Sequence, residues 1–184
     1  MGTIRDYKYK ILKNFLTPDE VKLGTHYFKL CHKRNMEQFD DVQNNNADSF
    51  FNSDAFTDSL LMNKKHIIEK ETGLELHPTY TFSRIYTFNA ELKKHKDRPS
   101  CEISITLMWD SDGTKWPIYM DGNPIELEPG DGAIYLGCEV EHYRENFKGD
   151  YHIQSFLHYV DKNGKYEDYK HDKRTQRDNA EVEW

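Results

Sequence analysis

The sequence predicts a mainly β chain of the α+β class: a jelly roll or β-sandwich flanked by two N-terminal helices. Three observations carry this. Two segments before residue 74 place apolar residues at helical spacing. From Pro78 onward the period shortens to two, and short runs rich in β-branched and aromatic residues recur as far as Val160. Turn signals separate those runs, at Asp110-Ser111-Asp112-Gly113, Asp121-Gly122-Asn123 and Pro129-Gly130-Asp131-Gly132. Helices grouped ahead of about eight strands fit a layered β architecture with helices against it.

In chain order, Tyr7–Leu12 reads as a short entering strand. Thr17-Pro18-Asp19-Glu20 starts the first helix. Thr17 is the cap, Pro18 suits the first helical position and Glu20 completes a capping box. Val21, Leu23, Tyr27, Phe28 and Leu30 give that helix an apolar face to about His32. Arg34–Ser53 is polar and Asn-rich and reads as a solvated loop. The second helix runs from about Asp54 to Thr72 on Phe56, Leu60, Leu61, Ile67 and Ile68, and Gly73 stands where a left-handed cap is wanted. After Pro78, Tyr80, Phe82, Arg84, Tyr86 and Phe88 share one strand face. Arg84 is the anomaly there, because a guanidinium among aromatics must find an anion, stack on a ring or reach water. Further strands are expected at Glu102–Trp109, in a hairpin at 116–127, at Ala133–Leu136 and at Tyr151–Val160.

At 184 residues this is one domain, expected over residues 1–160, followed by a charged, weakly ordered tail over 161–184. A net charge of -7 argues against nucleic acid or an anionic membrane as a partner of a basic surface. No apolar run is long enough to span a bilayer. The three cysteines, Cys31, Cys101 and Cys138, have no metal or redox spacing and fit free thiols in a reducing, cytoplasmic setting.

The chemistry concentrates at His95-Lys96-Asp97, read together with His142. Residues i and i+2 of an extended segment point the same way, so His95 and Asp97 can reach one ion. A distant second histidine then completes a 2-His-1-carboxylate set, the ligand type of a non-haem Fe(II) with open positions.

The order of these pieces resembles the Fe(II)/2-oxoglutarate-dependent dioxygenase superfamily, in particular its small prolyl-4-hydroxylase-like members. The resemblance runs from about Pro78 to Val160. It takes in Arg84-Ile85-Tyr86, His95-Lys96-Asp97, the strand ending Trp109-Asp110-Ser111-Asp112, the turn Glu128-Pro129-Gly130-Asp131-Gly132, and His142. It implies a double-stranded β-helix (jelly roll), His95, Asp97 and His142 as iron ligands, and Fe(II), 2-oxoglutarate and O₂ as cofactor and co-substrates. It further implies decarboxylation of 2-oxoglutarate to succinate with hydroxylation of an aliphatic C–H. Tyr86 matches a tyrosine that touches 2-oxoglutarate in such enzymes.

One position departs from the family pattern. Where relatives carry a Lys or Arg for the far carboxylate of 2-oxoglutarate, this chain has His152, with Gln154 on the same strand face. His152, Arg84 and Arg144 are the alternatives, and Arg84 is preferred because it otherwise lacks a reason to sit among inward aromatics. Arg98 and Trp116 are candidates for the substrate mouth, and His158 is expected to be structural. The substrate class expected is a peptidyl side chain, proline among the options, or a free amino acid. The competing readings are a non-enzymatic metal-binding jelly roll and a nucleobase demethylase of the same superfamily.

Overall fold

The computed structural model describes residues 2–36, 38–39 and 48–174. Among these are three α-helices, α1 (Ile4–Tyr7), α2 (Pro18–Lys33) and α3 (Ala55–Thr72), and eleven strands. In chain order the strands are β1 (Tyr9–Leu12), β2 (Gln38–Phe39), β3 (Asp48–Asn52), β4 (Leu76–Thr87), β5 (Leu92–His95), β6 (Ile103–Ser111), β7 (Ile118–Met120), β8 (Asn123–Ile125), β9 (Gly132–Leu136), β10 (His142–Arg144) and β11 (Tyr151–Asp161). They form a major sheet in the order β1-β9-β6-β11-β4-β3-β2 and a minor sheet in the order β5-β10-β7-β8. All neighbouring strands are antiparallel. Two antiparallel sheets with helices on one of them make the expected jelly roll.

The local rules explain both long helices. Thr17 Oγ1 accepts from the Glu20 amide, and Glu20 Oε2 accepts from the Thr17 amide, so the reciprocal capping box forms as read. Asp54 caps α3 by accepting from the Phe56 and Thr57 amides. Gly73 ends that helix at φ +71°, a conformation a β-carbon disfavours. Both helices pack on the outer face of the major sheet, where Trp109 is almost wholly buried. Gly24 of α2 faces that indole so closely that a β-carbon there would lie 2.1 Å from the ring. The indole N–H donates to Ser155 Oγ on β11. The β7–β8 hairpin turns at Asp121 and Gly122, both at positive φ, as the Asp-Gly signal implies.

Three expectations need correction. The one-turn helix α1 precedes the entering strand, held by a Thr3–Asp6 capping box too short to stand out in the sequence. Arg34–Ser53 is not only loop: β3 adds to the major sheet beside β4, and β2 pairs with it. Its Asp, Ser and Asn residues hide an outer strand whose backbone pairing needs no apolar alternation. Residue 37 and residues 40–47 of that segment lie outside the described residues. Packed structure also runs past residue 160. β11 ends at Asp161, and a 3₁₀ segment at Glu167–Lys173 lies against β4 and the turn Pro99–Cys101. There Asp172 takes both guanidinium nitrogens of Arg98, at 2.7 and 3.0 Å, and Arg174 donates to the Thr79 carbonyl. Residues 175–184 of the expected tail lie outside the described residues. None of the described helices is long and apolar enough to cross a membrane.

Candidate metal centre

The centre is built at the edge of the minor sheet. His142 on β10 pairs directly with His95 at the end of β5. Their ring centroids are 4.2 Å apart. Asp97, two residues beyond His95, is anchored by its amide, which donates to the Gly137 carbonyl at 2.8 Å. One Asp97 oxygen, Oδ1, then lies 3.5 Å from Nε2 of both histidines. One ligand atom from each of the three residues falls within 4.8 Å of the others, a spacing one cation can bridge.

The outer contacts prepare these groups for a metal. His95 Nδ1 faces the Lys93 carbonyl at 2.8 Å, and His142 Nδ1 faces the Val140 carbonyl at 3.0 Å. A carbonyl accepts only, so each ring donates from Nδ1 and turns Nε2 toward Asp97, the nitrogen that would bind a metal once its proton is lost. Burial works to raise the Asp97 carboxyl, but the His142 and His95 hydrogen bonds outweigh it and hold the group well below the usual carboxylate range. Burial pulls His95 down, and its bond to Asp97 more than offsets that, so its pKa lies above the ordinary histidine value. An ionised carboxylate and two imidazoles presenting Nε2 suit a divalent transition metal.

Gly137 is a positioning residue that the sequence reading did not find. A β-carbon there would lie 2.2 Å from the Cys101 carbonyl oxygen and 2.6 Å from Asp97 Oδ2. Only a residue without a side chain lets the two backbones close around Asp97. Nothing in the local sequence distinguishes this glycine from one in an ordinary turn.

A cavity of about 400 Å³ opens beside the triad. Tyr80, Phe82, Arg84 and Tyr86, the inward face of β4, form one wall; Tyr135, Phe156 and His158 add to it, and Lys96 and Arg98 stand at it too. Tyr135 and Tyr80 therefore belong to the site region although only the strand pattern had marked them. His158 is buried and its Nδ1 lies 2.8 Å from Ser104 Oγ. Burial pushes its pKa down to about 4, so it is neutral near pH 7.

The candidate co-substrate residues separate into two groups. Arg84 lines the metal cavity, with its guanidinium 4.9 Å from the Phe82 ring and 5.9 Å from the Tyr86 ring. Arg144, His152 and Gln154 form a second cluster, next to Tyr86 and Trp116. Arg144 donates to the Trp116 carbonyl and, at 2.6 Å, to Gln154 Oε1. His152 Nε2 lies 2.8 Å from the same Gln154 oxygen. Trp116 joins the groups, with its ring 4.8 Å from Tyr86 and 5.3 Å from His152. It is a buried member of this cluster with Phe147, not a residue of the cavity mouth. Burial, reinforced by the Arg144 charge, pushes the His152 pKa down to about 3. His152 is thus a neutral imidazole at ordinary pH when no anion stands beside it.

No family model and no curated protein sequence matches this chain. Solved structures do. A prolyl-4-hydroxylase from Pseudomonas putida superposes with a TM-score of 0.67 at 15% identity, over 86% of this chain and 95% of that one. The non-haem α-ketoglutarate-dependent epimerase SnoN of nogalamycin biosynthesis gives 0.72 at 11% identity, over 86% and 80%. A Trichoplax adhaerens prolyl hydroxylase in complex with a hypoxia-inducible-factor peptide fragment gives 0.67 at 10%, over 86% of each chain. The fold is therefore that of the 2-oxoglutarate/Fe(II) oxygenase structures, prolyl hydroxylases among them.

Proposed function

We propose that this chain is a non-haem Fe(II)- and 2-oxoglutarate-dependent dioxygenase that hydroxylates an aliphatic C–H of a peptidyl or amino-acid substrate, proline among the candidates. The observation that carries this reading is the meeting of His95 Nε2, His142 Nε2 and Asp97 Oδ1 at one edge of a jelly-roll cavity. Support comes from the fold likeness to oxygenases of this cofactor class, reported above.

His95, Asp97 and His142 would hold the iron, which supplies activation of O₂ and of 2-oxoglutarate when bound. The chain's own part is orientation and exclusion of water. The Lys93 and Val140 carbonyls fix the ring tautomers, and Gly137 lets Asp97 close on the site. The aromatic residues of β4 form one wall of the cavity beside the triad, whose lining also carries Arg84, Lys96 and Arg98. Substrate enters between that wall and Lys96 and Arg98. No side chain is required as a general base, in keeping with a reaction whose hard chemistry belongs to the cofactor. The three cysteines form no disulfide, which suits a reducing, cytoplasmic setting.

The test is succinate formation from 2-oxoglutarate with Fe(II) and O₂, alongside Mn(II) titration of the metal-free protein. Asp97→Ala and His142→Ala are expected to lose both succinate formation and tight Mn(II) binding while keeping a wild-type circular dichroism spectrum. Undiminished turnover in either variant removes the metal assignment. A wild type that binds Mn(II) but never consumes 2-oxoglutarate is a metal-binding jelly roll, not an oxygenase.

A further inference from the structure

Arg144 stands two residues after His142 on β10, and both are buried while Tyr143 between them is not. Both side chains therefore point into the barrel. A strand advances about 3.3 Å per residue, so the guanidinium is rooted roughly 6–7 Å along the strand from the metal-facing imidazole. Its visible acceptors are the Trp116 carbonyl and Gln154 Oε1, both neutral, and its third contact is the Trp116 ring face, 4.5 Å from the guanidinium carbon. It makes no ion pair with any described residue. A guanidinium offers five donors, and two are engaged by these acceptors. Beside it His152 Nδ1 is buried with no hydrogen-bond partner.

A permanent charge so deeply buried, held only by neutral acceptors and a ring, is costly unless an anion completes it. The sequence offers no such anion on β10 or β11 near it. We propose that Arg144 is the anchor for the distal carboxylate of 2-oxoglutarate, taking over from β10 the task that the resemblance would assign to position 152 on β11. This rests on the reading above that the chain uses a 2-oxo dicarboxylate. The neutral His152 is then a neighbour that helps hold Gln154 against Arg144. Arg84, on the cavity wall beside the triad, is left to the substrate side. The planar fork of an arginine suits a carboxylate through two parallel hydrogen bonds.

The experiment is calorimetric titration of the full chain, loaded with Mn(II), with 2-oxoglutarate and with 2-oxopentanoate. The second ligand keeps the chelating end and has a methyl group where the first has its distal carboxylate. The wild type is expected to prefer 2-oxoglutarate by roughly 30-fold or more, the loss typical of removing one partner of a buried charge pair. Arg144→Gln is expected to bring the two affinities within about threefold of each other with Mn(II) affinity unchanged. Arg84→Gln and His152→Gln are expected to keep the preference. A retained preference in Arg144→Gln, or its collapse in Arg84→Gln, overturns the assignment to Arg144 and leaves the oxygenase reading standing. A Mn(II)-loaded wild type that binds neither 2-oxo acid overturns the oxygenase reading itself, and this proposal with it. Should Arg144→Gln fail to fold, the guanidinium NMR signal present in the wild type and missing from Arg144→Lys decides. A shift with 2-oxoglutarate but not with 2-oxopentanoate upholds the anchor, and no shift with 2-oxoglutarate overturns it.

Discussion

Thr81 and Ser83 of β4 point toward the helices, whereas Tyr80, Phe82, Arg84 and Tyr86 of the same strand point into the cavity. On the helix side the buried hydroxyls of β4 are matched. Thr81 Oγ1 meets Thr57 Oγ1 at 2.8 Å and donates to Asp58. Ser83 meets Ser155, which also accepts from the Trp109 indole. On the cavity side the interior gathers groups short of partners: Arg144 with only neutral partners among the described residues, His152 with one bare ring nitrogen, and three atoms close enough together to hold a metal. The contrast teaches how to read buried polarity. A satisfied hydroxyl network fixes the strand against α3, while polar groups short of partners mark the space that the proposed metal and anion would complete.

The comparison breaks most sharply at Trp109. Trp109→Ala removes the ring packed on Phe28 and Phe56 and leaves Gly24 facing a void. The expected loss is about 3–5 kcal/mol of stability, read from urea unfolding. Mn(II) affinity of the remaining folded protein is expected to stay at the wild-type value. If metal affinity falls in step with stability, the two faces are not independent.

Gly137→Ala is the converse test. The added methyl must displace Asp97 or the Cys101 carbonyl. Mn(II) affinity is expected to drop by about 10–100-fold, the usual effect of disturbing a ligand's support, with a smaller change in unfolding free energy.

The cavity side should also set the pH dependence of the metal-free protein. His152 and His158 have folded pKa values of about 3 and about 4, below the ordinary histidine value, because burial disfavours their charged forms. The unfolded chain then takes up those protons first, so their contribution is intact above pH 6.5 and is lost as pH falls below it, by up to about 1.4 kcal/mol per pH unit for each. His95 acts with the opposite sign. Its raised pKa adds stability that is present below pH 6.5 and is lost as pH rises through the folded value. Urea midpoints across pH 5–8 are expected to peak near the middle of that range, and His158→Gln is expected to flatten the acid side. A midpoint that rises steadily toward pH 5 contradicts the assignment of neutral, buried rings.

The smallest effect belongs to the helix side's periphery. Thr17→Ala is expected to cost about 1 kcal/mol, seen in thermal unfolding, with no change in metal binding or in the preference between 2-oxo acids.

Local chemistry alone specified a good deal of this molecule. The capping box at Thr17, the left-handed Gly73 and the Asp-Gly hairpin each depend on residues within a few positions, and each forms as read; the inward stripe of β4 forms over Tyr80, Phe82, Arg84 and Tyr86, but Phe88 lies past the end of the strand and is exposed. The pairing of His95 and Asp97 was equally local, since alternate residues of an extended segment share a side. Other features were invisible because their causes are distant in sequence. β3 is a strand because β4 offers an open edge and Phe51 packs on Phe28, a signal masked in the sequence by Asp48, Ser49 and Asn52. Gly137 matters because Asp97, forty residues earlier, must fit against it.

The choice among Arg84, Arg144 and His152 could not be made from residue types, as each is a plausible partner for a carboxylate. Tertiary packing separates them: burial and the Arg144 charge leave His152 neutral, Arg84 stands beside the candidate triad, and Arg144 is enclosed without a counter-charge among the described residues. The physical reason is one of range. Secondary structure answers to neighbours along the chain, whereas the state and task of a buried charge depend on every group brought around it by folding.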